Sequence, residues 1–162
     1  MLEVGFGMGE ATAVMAAADP GTGVLAVDVH PAGVMALLRR VERAGLTNVR
    51  VVEGDAVEVL QALPEGCLRE VRLFFPDPWP KARHHKRRLV RPSFAELVAS
   101  RLAPGGVLHV ATDWPGYAEH VRAVLAGWEV VEDRRGRPET GYERRALVAG
   151  RQVVDLVAAP PR

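Results

Sequence analysis

Short apolar runs and amphipathic stretches alternate along this chain almost from its first residue. Residues 2–4, 24–27, 49–53, 70–75 and 107–111 are brief runs dominated by Val, Leu, Ala and Phe, which predict buried strands, and the fourth stops at Pro76. Between them, 10–18, 31–44, 57–63, 92–102 and 115–127 predict helices, the second with Pro31 in its first turn. Two late strands are expected near 129–132 and 152–157. This order predicts an α/β fold with a mainly parallel sheet. Residues 134–145 form the longest polar piece without a periodic signal, and irregular segments of that length in compact domains are often functional. A chain of 162 residues is most simply a single domain, 1–162, large enough to bury an ordinary core.

Composition narrows the classes. Apolar residues make up 48% and charged residues 25%, the balance of a soluble globular protein. No run of 18 apolar residues occurs, so a membrane span is not expected, and without a signal peptide the expected location is cytoplasmic. The lone Cys67 has no internal disulfide partner and is expected to pack as a small apolar residue near a turn. Because Leu2 already enters a strand and Gly5 its turn, an N-terminal extension is expected to precede Met1.

Charge distribution says more than its total. The formal net charge is only +1, yet residues 81–91 hold six Lys or Arg and two His with no acid among them. The chain's only two lysines, Lys81 and Lys86, both fall there. A basic run alone is usually a solvated loop. This one directly follows Phe74-Phe75-Pro76-Asp77-Pro78-Trp79-Pro80, where a carboxylate sits between two prolines beside an aromatic ring. A reaction centre next to an anion-binding surface is the reading that joins the two, and nucleic acid is the anion implied.

Gly5-Phe6-Gly7-Met8-Gly9 follows a strand and opens a helix, where α/β sheets bind nucleotides. The motif alone fits either a nicotinamide or an S-adenosylmethionine site. Glu10 occupies the position where a dinucleotide motif places its third glycine, and a carboxylate there would repel a pyrophosphate. A sulfonium and an ammonium suit it better. Acids recur at successive strand ends: Glu3, Asp28, Asp55 and Asp77. Asp28 is placed for ribose hydroxyls and Asp55 for an adenine amino group. Each also has a plain structural use, with Glu10 complementing a helix dipole and Asp28 and Asp55 capping the helices that follow them. Their shared edge of the sheet favours the methyl-donor site.

The glycine loop, the Phe-Phe-Pro-Asp-Pro-Trp motif, the Arg83-His84-His85-Lys86-Arg87-Arg88 block, Thr112-Asp113-Trp114 with Tyr117, and 138–145 together resemble the bacterial tRNA (guanine-N7)-methyltransferase family over nearly the whole chain. The resemblance implies a Rossmann-like class I S-adenosylmethionine-dependent methyltransferase fold, with helices on both faces and a reversed last strand. It implies methylation of the variable-loop guanosine at position 46 of tRNA. It further implies that Glu3, Gly5, Gly7, Asp28, Asp55 and Asp77 contact S-adenosylmethionine, with Asp77 catalytic. Lys81, Asp113, Thr140, Gly141, Tyr142 and Glu143 would contact the guanosine, and Arg83, His84, His85, Lys86, Arg87 and Arg88 the RNA. Asp28 stands where the family often has Glu, and Pro80 where His is common.

Guanine N7 already presents a lone pair, so Asp77 need not act as a base. A fixed carboxylate can instead stabilise the cationic methylated ring and hold its N1 or N2 hydrogens, with Asp113 and Glu143 sharing the base edge. Trp79 either stacks on the base or packs its loop. No metal is expected, since His84 and His85 lack ligand partners at suitable spacing. Either a monomer or a homodimer is compatible with the sequence. The alternatives are an exocyclic-amine methyltransferase acting on nucleic acid or protein, and a non-catalytic RNA-binding subunit that keeps the fold.

Overall fold

Val- and Leu-rich runs become strands because their branched side chains fill both faces of a pleated sheet. In the computed structural model, which describes residues 1–161, they are β1 (Leu2–Val4), β2 (Val24–Asp28), β3 (Val49–Glu53), β4 (Leu68–Phe74) and β5 (Leu102–Thr112). With β6 (Glu129–Glu132) and β7 (Val154–Ala159) they form one seven-stranded sheet, ordered β3-β2-β1-β4-β5-β7-β6. Neighbours among β1 to β5 pair in parallel, whereas β7 runs antiparallel to both β5 and β6. The expected reversed last strand is present.

Helices cover both faces. The larger core packs Leu60 of α3 (Ala56–Ala62), Phe94 and Val98 of α4 (Pro92–Arg101), and Tyr117 and Val121 of α5 (Pro115–Val124) against Leu2, Val71, Leu73, Leu108 and Val110. On the other face Val34 and Leu37 of α2 (Pro31–Ala44) meet Phe6 and Ala26, while Ala16 of α1 (Glu10–Ala18) meets Val24 and Val49. Among the described residues, no helix is long and apolar enough to cross a membrane. Cys67, expected to pack, is instead exposed.

Two segments depart from the sequence expectation. The basic run is a 3-10 helix, Ala82–Arg87. The supposedly irregular 134–145 contains the start of α6 (Gly141–Val148), whose N-cap Thr140 accepts from the Glu143 N–H at 3.1 Å. Thr-x-x-Glu is a helix-start signal in its own right.

One close approach fixes the glycine loop. A Cβ built on Gly33, in the first turn of α2, would lie 2.3 Å from the Gly7 carbonyl oxygen. Gly33→Ala therefore sets a helix-propensity gain of about 1 kcal/mol against overpacking of about 1–3 kcal/mol. A backbone oxygen yields less readily than a side chain, so the clash prevails. Chemical denaturation should show this variant net destabilised, and a variant as stable as the parent would mean that the loop can retreat from α2.

Candidate active site

The chain leaves β1 through three left-handed glycines, Gly5, Gly7 and Gly9. The Gly5 N–H donates to Val27 O at 2.8 Å, tying the loop to β2. Asp28, at the end of β2, accepts from the Gly7 N–H at 3.0 Å with one oxygen and from the His30 N–H at 3.0 Å with the other. Asp55 accepts from the Val57 N–H at 2.6 Å and caps α3. Each carboxylate thus has a structural bond and still keeps acceptor capacity, because an ionised carboxylate offers about four lone-pair sites.

Beside the loop lies a cavity of about 590 Å³, lined by Gly5, Gly7, Asp28, Asp55, Asp77, Trp79 and Tyr142 among others. That volume suits a small-molecule site. Glu3 is not part of the lining; it is 2% exposed in β1, and one of its oxygens has no hydrogen-bond partner among the described residues. Glu10 also lies outside the cavity and pairs with Arg40 at 3.3 Å and Arg144 at 3.1 Å. The negative character of the cavity therefore comes from Asp28, Asp55 and Asp77. It fits the sulfonium, ammonium and ribose of a methyl donor better than a pyrophosphate.

The reaction loop follows β4 directly. Phe75 and Trp79, two residues either side of Asp77, both adopt left-handed backbone angles, φ 53° and 42°. Such conformations cost bulky residues roughly 1–3 kcal/mol each and persist only where the surroundings impose them. Here the Phe75 N–H donates to Ala111 O at 2.7 Å, and its ring stacks on Tyr142 with centroids 6.2 Å apart. Trp79 lies under the Arg87 guanidinium, 4.9 Å from its centroid, and meets the edge of His84. Asp77 is exposed and makes no protein hydrogen bond among the described residues, so it is free to face a ligand.

Arg88, expected at the RNA surface, is placed inside the protein. It is only 5% exposed, donates from Nε to Pro78 O at 2.9 Å, and stacks over Tyr117. Its charge is spent inside, holding the reaction loop. Arg83, His85, Lys86 and Arg87 remain on the surface, with His84 half-buried.

The expected guanosine contacts are scattered. Tyr142 lines the cavity, whereas Lys81 is exposed at the start of the 3-10 helix and Asp113 is paired with Arg151 at 2.7 Å. Thr140 is a buried cap, and Gly141 is the first residue of α6. Glu143 is 3% exposed; its Oε2 accepts from Arg134 at 3.0 Å and from Arg137 at 2.8 Å, and its Oε1 accepts from Arg134 as well. Two guanidiniums thus engage this carboxylate within the protein. Trp114 of the Thr112-Asp113-Trp114 motif lies outside the cavity lining.

Glu143 ends an ionic chain that the sequence reading missed. Arg137 bridges Glu143 to Asp155 on β7, Asp155 accepts from His109 on β5 at 2.8 Å, and Glu70 on β4 lies 3.7 Å from His109 and 3.0 Å from Arg72. Burial alone would raise the carboxyls, but hydrogen bonds outweigh it. His109 and Arg72 hold Glu70 down at about 2, and Arg137 and His109 do the same for Asp155. Burial pulls His109 down as well, yet Asp155 and Glu70 win and raise it above its ordinary value. The carboxylates stabilise the fold above the ordinary carboxylate range, a contribution lost as pH falls through about 2; the His109 contribution is lost as pH rises through its raised value. The available signal was the alternation of charged residues with Val and Leu in β4.

Strand order, glycine loop and acidic cavity together define a Rossmann-like methyltransferase. Solved structures agree on the fold: a 16S rRNA methyltransferase, KamB, aligns with TM-score 0.68 at 20% identity, over 99% of this chain and 87% of that one. A SAM-dependent methyltransferase from Aquifex aeolicus aligns with TM-score 0.65 at 19% identity, covering 97% and 79%. A family model described as putative methyltransferase matches residues 1–156. The tRNA (guanine-N(7)-)-methyltransferase of Nitrosospira multiformis is 51% identical, with 96% of this chain and 72% of that protein covered. That of Alkalilimnicola ehrlichii is 52% identical, covering 96% and 70%. The chain belongs to the tRNA (guanine-N(7)-)-methyltransferase family.

Glu3 gives a pH test of this site's foundations. Burial raises its carboxyl to about 7, despite Thr12 and Arg72 nearby. A folded value above the unfolded one means that stability is full at acid pH and is lost as pH rises towards 7. Glu3→Gln mimics the neutral form, so it should stabilise the protein at pH 8 by up to about 3 kcal/mol and by little at pH 4.5. Equal effects at both values, read by thermal melting, would mean that Glu3 is ionised in the fold.

Proposed function

We infer that this chain transfers a methyl group from S-adenosylmethionine to N7 of a guanosine in tRNA, and that the target is the variable-loop guanosine at position 46. The observation that carries the reading is one cavity bounded by a glycine loop, three carboxylates and the Asp77 loop, with the basic 3-10 helix attached through Trp79. The position within tRNA rests on the resemblance of the Phe-Phe-Pro-Asp-Pro-Trp and Arg-His-His-Lys-Arg-Arg blocks.

Asp28 and Asp55 would hold the ribose and adenine, and the left-handed glycines let backbone approach the donor without a Cβ. When bound, S-adenosylmethionine supplies a methyl carbon whose bond to sulfur breaks as the guanine N7 lone pair forms the new one, so no proton need leave. Asp77 serves as a fixed negative charge for the ring that becomes cationic, and it can accept from the ring's N–H groups. The flanking prolines and the two left-handed residues hold it still before substrate arrives. Tyr142 and Trp79 line the same cavity. Because Glu143 is occupied by Arg134 and Arg137, reading of the base edge falls to Asp77. Arg83, Lys86 and Arg87, with His84, His85 and Lys81, would meet tRNA phosphates in the cytoplasm.

N7 methylation leaves a cationic base whose glycosidic bond becomes labile after borohydride reduction. Aniline should then cut treated tRNA once, within the variable loop. The cut should disappear with Asp77→Ala at saturating donor. Label in tRNA without scission would indicate exocyclic-amine chemistry, and scission surviving Asp77→Ala would remove Asp77 from its role.

The basic helix and Arg88 should separate in binding assays. Arg83→Gln, Lys86→Gln and Arg87→Gln combined should make the slope of log affinity against log salt shallower by roughly 0.7–0.9 per lost contact. Arg88→Gln should leave the slope unchanged while lowering turnover. An equal change of slope for Arg88→Gln would return it to the RNA surface.

A further inference from the structure

Arg137 lies outside the cavity lining and is 3% exposed, yet it touches both the loop and the helix that supply Phe75 and Tyr142 to that lining. Nε and one terminal nitrogen donate to the two Asp155 oxygens at 2.7 and 2.9 Å. The other terminal nitrogen donates to Glu143 at 2.8 Å and to Pro138 O at 3.2 Å. The guanidinium also lies 5.4 Å from the Phe74 ring centroid and 5.3 Å from that of Phe75. Phe75 is the left-handed residue that starts the Asp77 loop, and Glu143 follows Tyr142 on α6.

We propose that Arg137 is a positioning residue for methyl transfer, a single buried guanidinium that sets the Asp77 loop and α6 in register with each other by anchoring both to β7. Its effect on chemistry rests on the function inferred above; its mechanical coupling does not. The arrangement needs arginine. Only a planar fork can meet two carboxylates in its plane while its face packs on aromatic rings. Lysine keeps the charge but satisfies Asp155 and Glu143 with one mobile ammonium and offers no flat face to Phe75. Asp77 and Tyr142 would then each remain near the cavity, with their mutual geometry no longer fixed. A displacement of about 1 Å at a reacting group costs on the order of 100-fold in rate.

The test compares Arg137→Lys, Glu143→Gln and the double variant in the full chain. Turnover at saturating donor and tRNA should fall at least about tenfold in each single variant. Affinity for S-adenosylhomocysteine, measured by calorimetry, should change less than about threefold, because the donor carboxylates Asp28 and Asp55 are untouched. In the double variant the losses should overlap instead of multiplying, as expected when two residues act through one linkage. Unchanged turnover in a folded single variant, losses that multiply, or a donor affinity that falls as far as turnover would each overturn the proposal.

Amide hydrogen exchange supplies the readout that needs no substrate. In Glu143→Gln, which leaves Arg137 on Asp155, the amides of Phe75, Asp77 and Trp79 should lose protection together with that of Tyr142. This variant also carries the test if Arg137→Lys does not fold. Loosening of α6 alone would overturn the coupling. A parent protein that methylates no tRNA would reject the inferred function and leave the exchange result to decide the coupling separately.

Discussion

Six charged side chains and one histidine, from Arg72 through Glu70, His109, Asp155, Arg137 and Glu143 to Arg134, run from the centre of the sheet to α6. Hydrophobic burial is indifferent to small shifts of register, but a chain of paired charges is not. Burying ions costs several kcal/mol each, and only near-ideal geometry recovers it. Removing one partner leaves its neighbour uncompensated, at roughly 3–5 kcal/mol. The chain therefore ties β4, β5 and β7 to a helix that the apolar core hardly reaches; among α6 residues only Glu143 and Ala146 are buried.

The same device explains how a strained loop can persist. Phe75 and Trp79 hold left-handed backbone angles that neither residue favours. Arg137 and Tyr142 fix the first through its ring, while Arg87 and Arg88 fix the second stretch through the Trp79 ring and the Pro78 carbonyl. Asp77 stands between the two anchors with no protein hydrogen bond of its own among the described residues. Strain imposed from outside, with the reacting carboxylate left free, is the arrangement expected where preorganisation and not flexibility serves the chemistry.

Much of the fold was legible in the sequence because strand and helix periodicities differ and the punctuation is clear. Pro31, Pro92 and Pro115 each open a helix, and glycines close β1 and β3. Asp28, Asp55 and Asp77 were legible as cavity residues from their places after strands, since parallel strands bring their carboxyl ends to one edge. Glu3 obeys the same sequence logic yet is buried one residue too early in β1. Arg88 and Glu143 show that composition does not reveal direction: one belongs to a basic run and points inward, the other follows a cavity residue and faces two arginines. Asp155 and His109 gave no local signal at all, as the two lie 46 residues apart in the chain.

A crystal structure with S-adenosylhomocysteine tests the central claim most directly, that the carboxylate edge beside the strained loop is the donor site. The account predicts density in the cavity with adenine at Asp55, ribose hydroxyls at Asp28 and sulfur turned towards Asp77, the Phe75 and Trp79 backbone angles remaining left-handed. Ligand bound away from Asp28 and Asp55, or a reaction loop that relaxes to ordinary angles on binding, would contradict it.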